Sequence, residues 1–397
     1  MPDLLPDSAI PRVSCGFDSG AIETLSNAQS LVTGQIDLAI RRDSTSDPGC
    51  DFRQWFHFRV QGGRGKARTI RLTNASSCTY PGGWEGYQVL ASHDRVHWTR
   101  LPTRYEQGVL VIEHVPSHDS LWYAYFEPYS WERHMALIGR TASAPGVTIE
   151  DLGRTPDGHD LDLVRVGEEH GARHRIWVIA RQHPGESMAE WFVEGLLERL
   201  LDHDDALARQ IRDEAVFYIV PNMNPDGSVR GNLRANAAGA NLNREWMAPS
   251  VKRSPEVLAV RTRMAQTGVD LFLDVHGDEA LPYVFIAGSE MLPGFTPEQA
   301  RLQQLFCERF VEASPDFQTR HGYGAGKYSA ESLRLASKWV GHTFGCLSLT
   351  LEMPFKDNAN LPDPRTGWSG ARSRKLGAAV LAPMRAVCLA RRAVDRD

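Results

Sequence analysis

Along the first third of the chain, apolar and polar residues alternate in short runs. RQWFHFRVQG and KARTIRLTNAS begin the pattern. YQVLASHD, HWTRLPTRY, GVLVIEHV and SLWYAYFEPYS continue it, separated by Gly, Asp, Asn and Pro. Period-two alternation turns one face of each run inward, so residues from about 15 to 130 read as an all-β sandwich. Near residue 140 the rhythm changes. RHRIWVIA and AVFYIVP are almost wholly apolar, as strands buried on both faces are. VDLFLDVHG, LPYVFIAG and CLSLTLEMP are further strand candidates. MAEWFVEGLLERL, Pro255 to about Thr267, PEQARLQQLFCERFVEA and one long run from about Ser369 to Ala393 read as helices. Ser254 is placed to cap the second of these, and Pro255 suits its first position. Strands alternating with helices predict an α/β fold, with a mostly parallel or mixed sheet and helices on both faces. The expected division is a β-sandwich over residues 1–135 and an α/β domain over 136–397. In such sheets, sites form beyond the carboxyl ends of strands. His183, Asn222, His276 and Glu352 all fall there.

Composition leaves this picture intact and removes some partners. A length of 397 residues fits two domains, and 42% apolar with 23% charged residues fits an ordinary globular protein. A net charge of −5, with no long run of one sign, speaks against nucleic acid or an anionic membrane as the main partner. No apolar run approaches membrane-spanning length. The opening MPDLLPDSAIPRVSCG has neither a basic start nor a long apolar core, so no secretory signal is expected. Cys15, Cys50, Cys78, Cys307, Cys346 and Cys388 form no C-x-x-C pair, and reduced thiols in a cytoplasm are expected.

The chemistry centres on RQHPGES, residues 181–187, where a strand ends and a helix begins. A tight turn there lets His183 and Glu186 converge on one point. Zinc prefers His nitrogen and carboxylate oxygen, and a catalytic site offers three protein ligands plus an open position. FLDVHGD supplies a third candidate in His276, followed by Gly277, which opens space beside the ring. Asp274 lies two residues earlier on the same strand face and can accept a hydrogen bond from a ligand imidazole. Each has a plainer reading: an acid at a helix start, a histidine or aspartate satisfied at a strand end. PNMNPDGSVRGNLRANAAGANLNREW opens on an NPDG turn and is dense in Asn and Arg beyond it, including Arg234, Asn243 and Arg244. Arginine matches a carboxylate with two parallel bonds. LTLEMPF ends an apolar strand on Glu352, where a carboxylate is costly unless partnered or functional.

In order, His183-x-x-Glu186, Arg234, Asn243-Arg244, His276 and Glu352 resemble the zinc metallocarboxypeptidases. FRQWFHFRV, FEPYS, HPGE, NPDG, NLNREW, DVHG and TLEMPF are similar to the cytosolic carboxypeptidase subfamily, in which a β-sandwich precedes the catalytic domain. The resemblance covers nearly the whole chain. It implies one Zn²⁺ on His183, Glu186 and His276. It implies that Arg234 polarises the scissile carbonyl, that Asn243 and Arg244 grip the C-terminal carboxylate, and that Glu352 acts as general base and then general acid. The substrate it implies is the C-terminus of a peptide or protein. Tyr323 and Tyr328, both in HGYGAGKYSAES, each fit the family's mobile tyrosine, and Arg334 and Lys338 lie near the stretch that carries a basic pocket residue in glutamate-removing members. A zinc amidohydrolase of the deacylase type shares the metal triad and the glutamate but lacks the sandwich. A binding protein with a decayed site would have lost a ligand or the glutamate, and none is missing.

Overall fold

The computed structural model describes residues 10–394 apart from 28, 30, 32 and 325. Residues 1–9 of the stretch read against a secretory signal lie outside it. Ten short strands build the first part: β1 (Arg12–Ser14), β2 (Glu23–Thr24), β3 (Gln35–Ala39), β4 (His57–Gln61), β5 (Arg68–Leu72), β6 (Leu90–Ser92), β7 (Thr99–Arg100), β8 (Thr103–Glu106), β9 (Val109–His114) and β10 (Ser120–Ala124). They form two five-stranded sheets, ordered β1-β4-β10-β6-β7 and β2-β3-β5-β9-β8. The alternation seen in the sequence is the reason. Phe58, Val60, Ile70, Leu72, Leu110 and Ile112 turn inward and are at most 1% exposed.

The second part opens with helix α1 (Trp131–Ala142), whose N-cap Ser130 accepts the Arg133 amide. Then come β11 (Val147–Arg154), β12 (Asp160–Val166), β13 (His174–Ala180), α2 (Met188–Leu200), α3 (Ala206–Arg212), β14 (Ala215–Val220), α4 (Pro225–Arg230), α5 (Pro255–Thr267), β15 (Leu271–Asp278), β16 (Phe285–Ala287), α6 (Pro297–Ala313), α7 (Ala336–Phe344), β17 (Leu347–Pro354), α8 (Gly370–Ala379) and α9 (Leu381–Val394). Seven strands form one mixed sheet in the order β11-β12-β14-β13-β15-β17-β16. The central strands β14, β13, β15 and β17 are parallel, and the outer pairings are antiparallel. Six of the seven residues of β13 and all eight of β15 and of β17 are buried, as strands covered on both faces must be. Glycine sets how closely α2 and α8 pack. A Cβ on Gly195 would collide with the Arg374 carbonyl, and one on Gly377 with that of Phe192.

Four expectations need correction. NPDG is a helix start: Asn224 caps α4 by accepting the Gly227 amide, Pro225 occupies its first position, and Gly231 at φ 68° ends it. Ser254 makes no capping bond to α5, because its Oγ receives the Ser250 amide and donates to Glu245. The long C-terminal helix breaks at Val380 into α8 and α9, since Pro383 lacks the N–H that would bond back to Ala379. Gly277 faces away from the His276 ring, and its missing Cβ makes room for Met188 and Phe355. All six cysteines are free. Among the described residues, no helix is long and apolar enough to cross a membrane.

Candidate metal centre and active site

After β13 the chain turns through residues 181–187 into α2. Arg181 carries a left-handed backbone, φ 58°, which a side chain adopts only when its surroundings hold it there. Its buried guanidinium donates to the Tyr129 carbonyl at 2.8 Å, Glu190 Oε2 at 2.6 Å and the Pro184 carbonyl at 3.0 Å. The turn so fixed aims His183 and Glu186 at one point, with His183 Nδ1 2.7 Å from Glu186 Oε1. From β15, His276 brings its Nδ1 to 2.7 Å from Glu186 Oε2 and 3.2 Å from His183 Nδ1. The Gly277 amide donates to Glu186 Oε2 at 3.1 Å. All three side chains are about 2% exposed, and their ligand atoms lie within 4.8 Å of one another.

The outer ring nitrogens are already engaged. His276 Nε2 lies 2.8 Å from Asp274 Oδ2, and His183 Nε2 lies 3.0 Å from Asn241 Oδ1. Both partners are acceptors, so each ring, when neutral, keeps its proton outside and turns a lone pair inward. In the neutral form that a bound cation would require, two inward nitrogens 3.2 Å apart beside a carboxylate offer acceptors and no donor. This N, N, O set fits a zinc-like cation. Burial, then the Arg234 charge, pushes His183 down to about 3 and keeps its ring neutral. Burial works against charge on His276 too, but Asp274 and Glu186 outweigh it and hold its pKa well above the usual histidine value. Burial likewise works against the Glu186 carboxylate, but His183 and His276 outweigh it and hold its pKa below the usual value. The pocket thus favours positive charge beside Glu186.

Strand register puts Glu352 beside this cluster. His276 and Glu352 are direct partners on β15 and β17, about 4.8 Å apart by sheet spacing. Burial raises Glu352 well above the carboxylate range, Glu186 and Asp278 add to the effect, and His276 opposes it. Its Oε2 is buried without a hydrogen-bond partner among the described residues, an oxygen left for a ligand.

Arg234 faces the same space. Its Nη1 is 3.8 Å from Glu186 Oε1 and 3.6 Å from Glu279 Oε1, and its guanidinium lies 5.1 Å from the centre of the Tyr80 ring. Burial drives Glu279 up to about 8, with the Arg234 charge opposing. Asn243 uses Oδ1 to accept the Ala336 amide, and its Nδ2 sits 3.4 Å from His276 Nε2. Arg244 is exposed, donates to the Asn243 carbonyl and forms no ion pair among the described residues, and the nearby Arg234 charge disfavours a second cation there. It borders an open cleft of about 530 Å³ that Phe52, Asn241, Met247, Arg253 and Arg334 also line.

Of the two tyrosines, Tyr323 reaches the site. Tyr323 is 55% exposed as a residue, but its hydroxyl end donates to Asp278 Oδ2 at 2.7 Å, and desolvation there, Glu352 and Asp278 all raise its pKa. Tyr328 is 42% exposed and shares no hydrogen bond with these residues among those described. Arg334 is exposed and paired with Glu331 at 2.6 Å, and buried Lys338 donates to the Gly288 carbonyl, with burial lowering it to about 8. Neither is a free cation turned to the zinc-like cluster.

Sequence reasoning missed five residues. Asn241 holds His183, while Gln182 donates to Asp274 at 2.8 Å and accepts from Trp246 at 2.7 Å. Glu279 had a signal, because it ends the same apolar strand region as His276. Asp43, which accepts the Arg234 amide at 2.8 Å, and Tyr80 had none, since they come from the sandwich, far away in sequence.

The chain matches two family profiles: the cytosolic carboxypeptidase N-terminal domain over residues 13–126 and zinc carboxypeptidase over residues 136–367. It is similar to the crystal structure of a metallo-carboxypeptidase from Burkholderia cenocepacia, at 54% identity, TM-score 0.91, covering 96% of this chain and 99% of that one. It is similar to a Pseudomonas aeruginosa metallo-carboxypeptidase in complex with (2-guanidinoethylmercapto)succinic acid, at 45% identity, TM-score 0.90 and the same coverage of both chains. Cytosolic carboxypeptidase 6 of Caenorhabditis elegans is 25% identical over 381 residues, 89% of this chain and 81% of that protein.

Proposed function

The chain belongs to the zinc carboxypeptidase family, and on that premise we propose that His183, Glu186 and His276 hold one zinc ion per chain and that the surrounding residues remove the last residue of a peptide or protein. The carrying observation is the convergence of three buried acceptor side chains, each imidazole braced from outside, with Glu352 and Arg234 facing the same point. Zinc held by these residues would supply Lewis-acid chemistry toward water and the scissile carbonyl. Glu352 takes the proton of the attacking water and passes it to the leaving amine. Arg234 presents Nη1 to the carbonyl oxygen as negative charge grows on it. Arg244, with no carboxylate partner among the described residues, pairs with the substrate's terminal carboxylate, and Asn243, whose Oδ1 accepts the Ala336 amide, supports it through Nδ2. Tyr323 stands beside Glu352 and Asp278, where it can close over bound substrate. Asp274 fixes the His276 ring.

The same reading divides the chain into a sandwich and a catalytic domain; the expected boundary between 1–135 and 136–397 falls inside α1 (Trp131–Ala142), whose His134 bonds to Glu190 and Asp162, so the catalytic domain starts with α1. It places the protein in the cytoplasm, on the strength of the cytosolic relatives. The Pseudomonas aeruginosa relative binds a substituted succinic acid, and a carboxylate ligand agrees with the clamp.

The test compares one peptide as free acid and as C-terminal amide. Amidation removes the charge that Arg244 pairs with, which costs about 2–5 kcal/mol, or roughly 30-fold to several-thousand-fold in kcat/KM. Arg244→Ala should impair the acid peptide by a similar factor and hardly change the poor amide. Equal cleavage of both peptides by the unaltered enzyme refutes the clamp and favours an amidohydrolase.

A further inference from the structure

Arg234 is held from the other half of the chain, and we infer that the sandwich is a working part of the active site, with Asp43 and Tyr80 as positioning residues for Arg234. This rests on the role given to Arg234 above. The Asp43 carboxylate accepts three consecutive amides: Leu233 at 2.6 Å, Arg234 at 2.8 Å and Ala235 at 2.8 Å. Three amides turned to one carboxylate fix the backbone from which the Arg234 side chain departs, and charge-assisted bonds are about twice as strong as neutral ones. Asp43 is buried and rooted in its own domain, its amide donating to the Phe52 carbonyl at 2.8 Å. The next residues continue the seam. The Ser44 amide donates to Asn232 Oδ1 at 2.7 Å, and the Ser46 amide to the Ala237 carbonyl at 2.8 Å.

Tyr80 acts at the other end of the side chain. Its ring lies under the Arg234 guanidinium, at cation–π distance. Its backbone is locked to Gln54, the Tyr80 amide donating to Oε1 at 3.0 Å and Nε2 donating to the Tyr80 carbonyl at 3.1 Å. From the catalytic side, only Glu279 and Glu186 approach the guanidinium as ion-pair partners among the described residues, at 3.6 and 3.8 Å. Without the sandwich, those carboxylates alone would set where the cation points. A displacement of about 1 Å from productive geometry can cost about a hundredfold in rate.

Interdomain glue alone would predict losses independent of Arg234, so a double-mutant cycle separates the two accounts. Asp43→Asn, Arg234→Ala and the double variant are compared for kcat and KM on a free-acid peptide, with zinc content and melting temperature measured on each. Asp43→Asn should lower kcat about 10- to 100-fold, keep zinc, and add little to Arg234→Ala. Losses that multiply in the double variant overturn the inference, and so does unimpaired Asp43→Asn. A normal rate in Arg234→Ala sinks instead the role of Arg234 itself. Tyr80 gives a second reading should Asp43→Asn fold poorly. Tyr80→Leu should lose activity and Tyr80→Phe should restore most of it, since the ring is what Arg234 rests on. A Phe variant as poor as the Leu variant overturns that half of the claim.

Discussion

The roles of single residues here are set by what each side chain lacks. Among the described residues, Glu352 has a buried oxygen with no hydrogen-bond partner, and exposed Arg244 has no carboxylate partner. On Glu352 such an orphaned oxygen costs about 1–3 kcal/mol in desolvation, which a bound ligand would offset. Glu352→Gln keeps the shape and removes the base. It should retain zinc and substrate binding while turnover falls at least about a hundredfold. A Gln variant with near-normal kcat would remove Glu352 from the mechanism. His183→Ala and His276→Ala should each strip zinc, as measured by atomic absorption on purified protein. Full zinc in both variants would mean that the metal sits elsewhere.

At the scale of elements, buried ion pairs fasten α1 to the catalytic sheet. His134 on α1 puts Nδ1 2.6 Å from Glu190 on α2 and Nε2 3.2 Å from Asp162 on β12. Glu190 in turn receives Arg181, whose strained turn presents His183. Burial disfavours the His134 charge, yet Glu190 and Asp162 outweigh it and raise its pKa to about 9. The unfolded value is about 6.5. A folded pKa above the unfolded one stabilises fully below pH 6.5, and that contribution is lost as pH rises through 9. The stake is about 3 kcal/mol, at about 1.4 kcal/mol per unit. Urea unfolding should therefore show the advantage of the unaltered protein over His134→Gln shrinking between pH 6.5 and 9. A constant difference would show that the ring is neutral across this range.

Across the whole molecule, the two halves share a desolvated seam. The Arg100 guanidinium of β7 donates to the carbonyls of Gln88, Phe355, Thr366 and Trp368, and the Tyr125 ring stacks on Phe355 at 4.4 Å. The link FEPYS that precedes α1 is equally enclosed, with Phe126 and Tyr129 at most 1% exposed. Residues 136–397 expressed alone should give insoluble or inactive protein, because Phe355 and the carbonyls met by Arg100 would face water and the loop bearing Arg234 would lose Asp43. A soluble fragment with full peptidase activity would refute the shared seam.

Much of this was legible in one dimension, for a physical reason. Period-two runs can bury one face only in a sheet, all-apolar runs sit in a covered sheet, and HPGE between strand and helix reads as a tight turn, on which a ligand pair and a plain helix-start acid were both open. His183, Asn222, His276 and Glu352 were readable as strand-end residues, and the resemblance to zinc carboxypeptidases joined Glu186 to His183, His276 and Glu352 as one site. Short-range signals misled where two structures share them: NPDG suits a helix start as well as a turn, and one long apolar rhythm hid the break that Pro383 imposes. What only the tertiary structure decided is which distant residues complete the site. Strand register paired His276 with Glu352. Packing chose Tyr323 over Tyr328 as the hydroxyl near the glutamate. Docking of the two halves brought Asp43 and Tyr80 to Arg234. Such contacts follow from how faces meet in space, and no local pattern of residues records that.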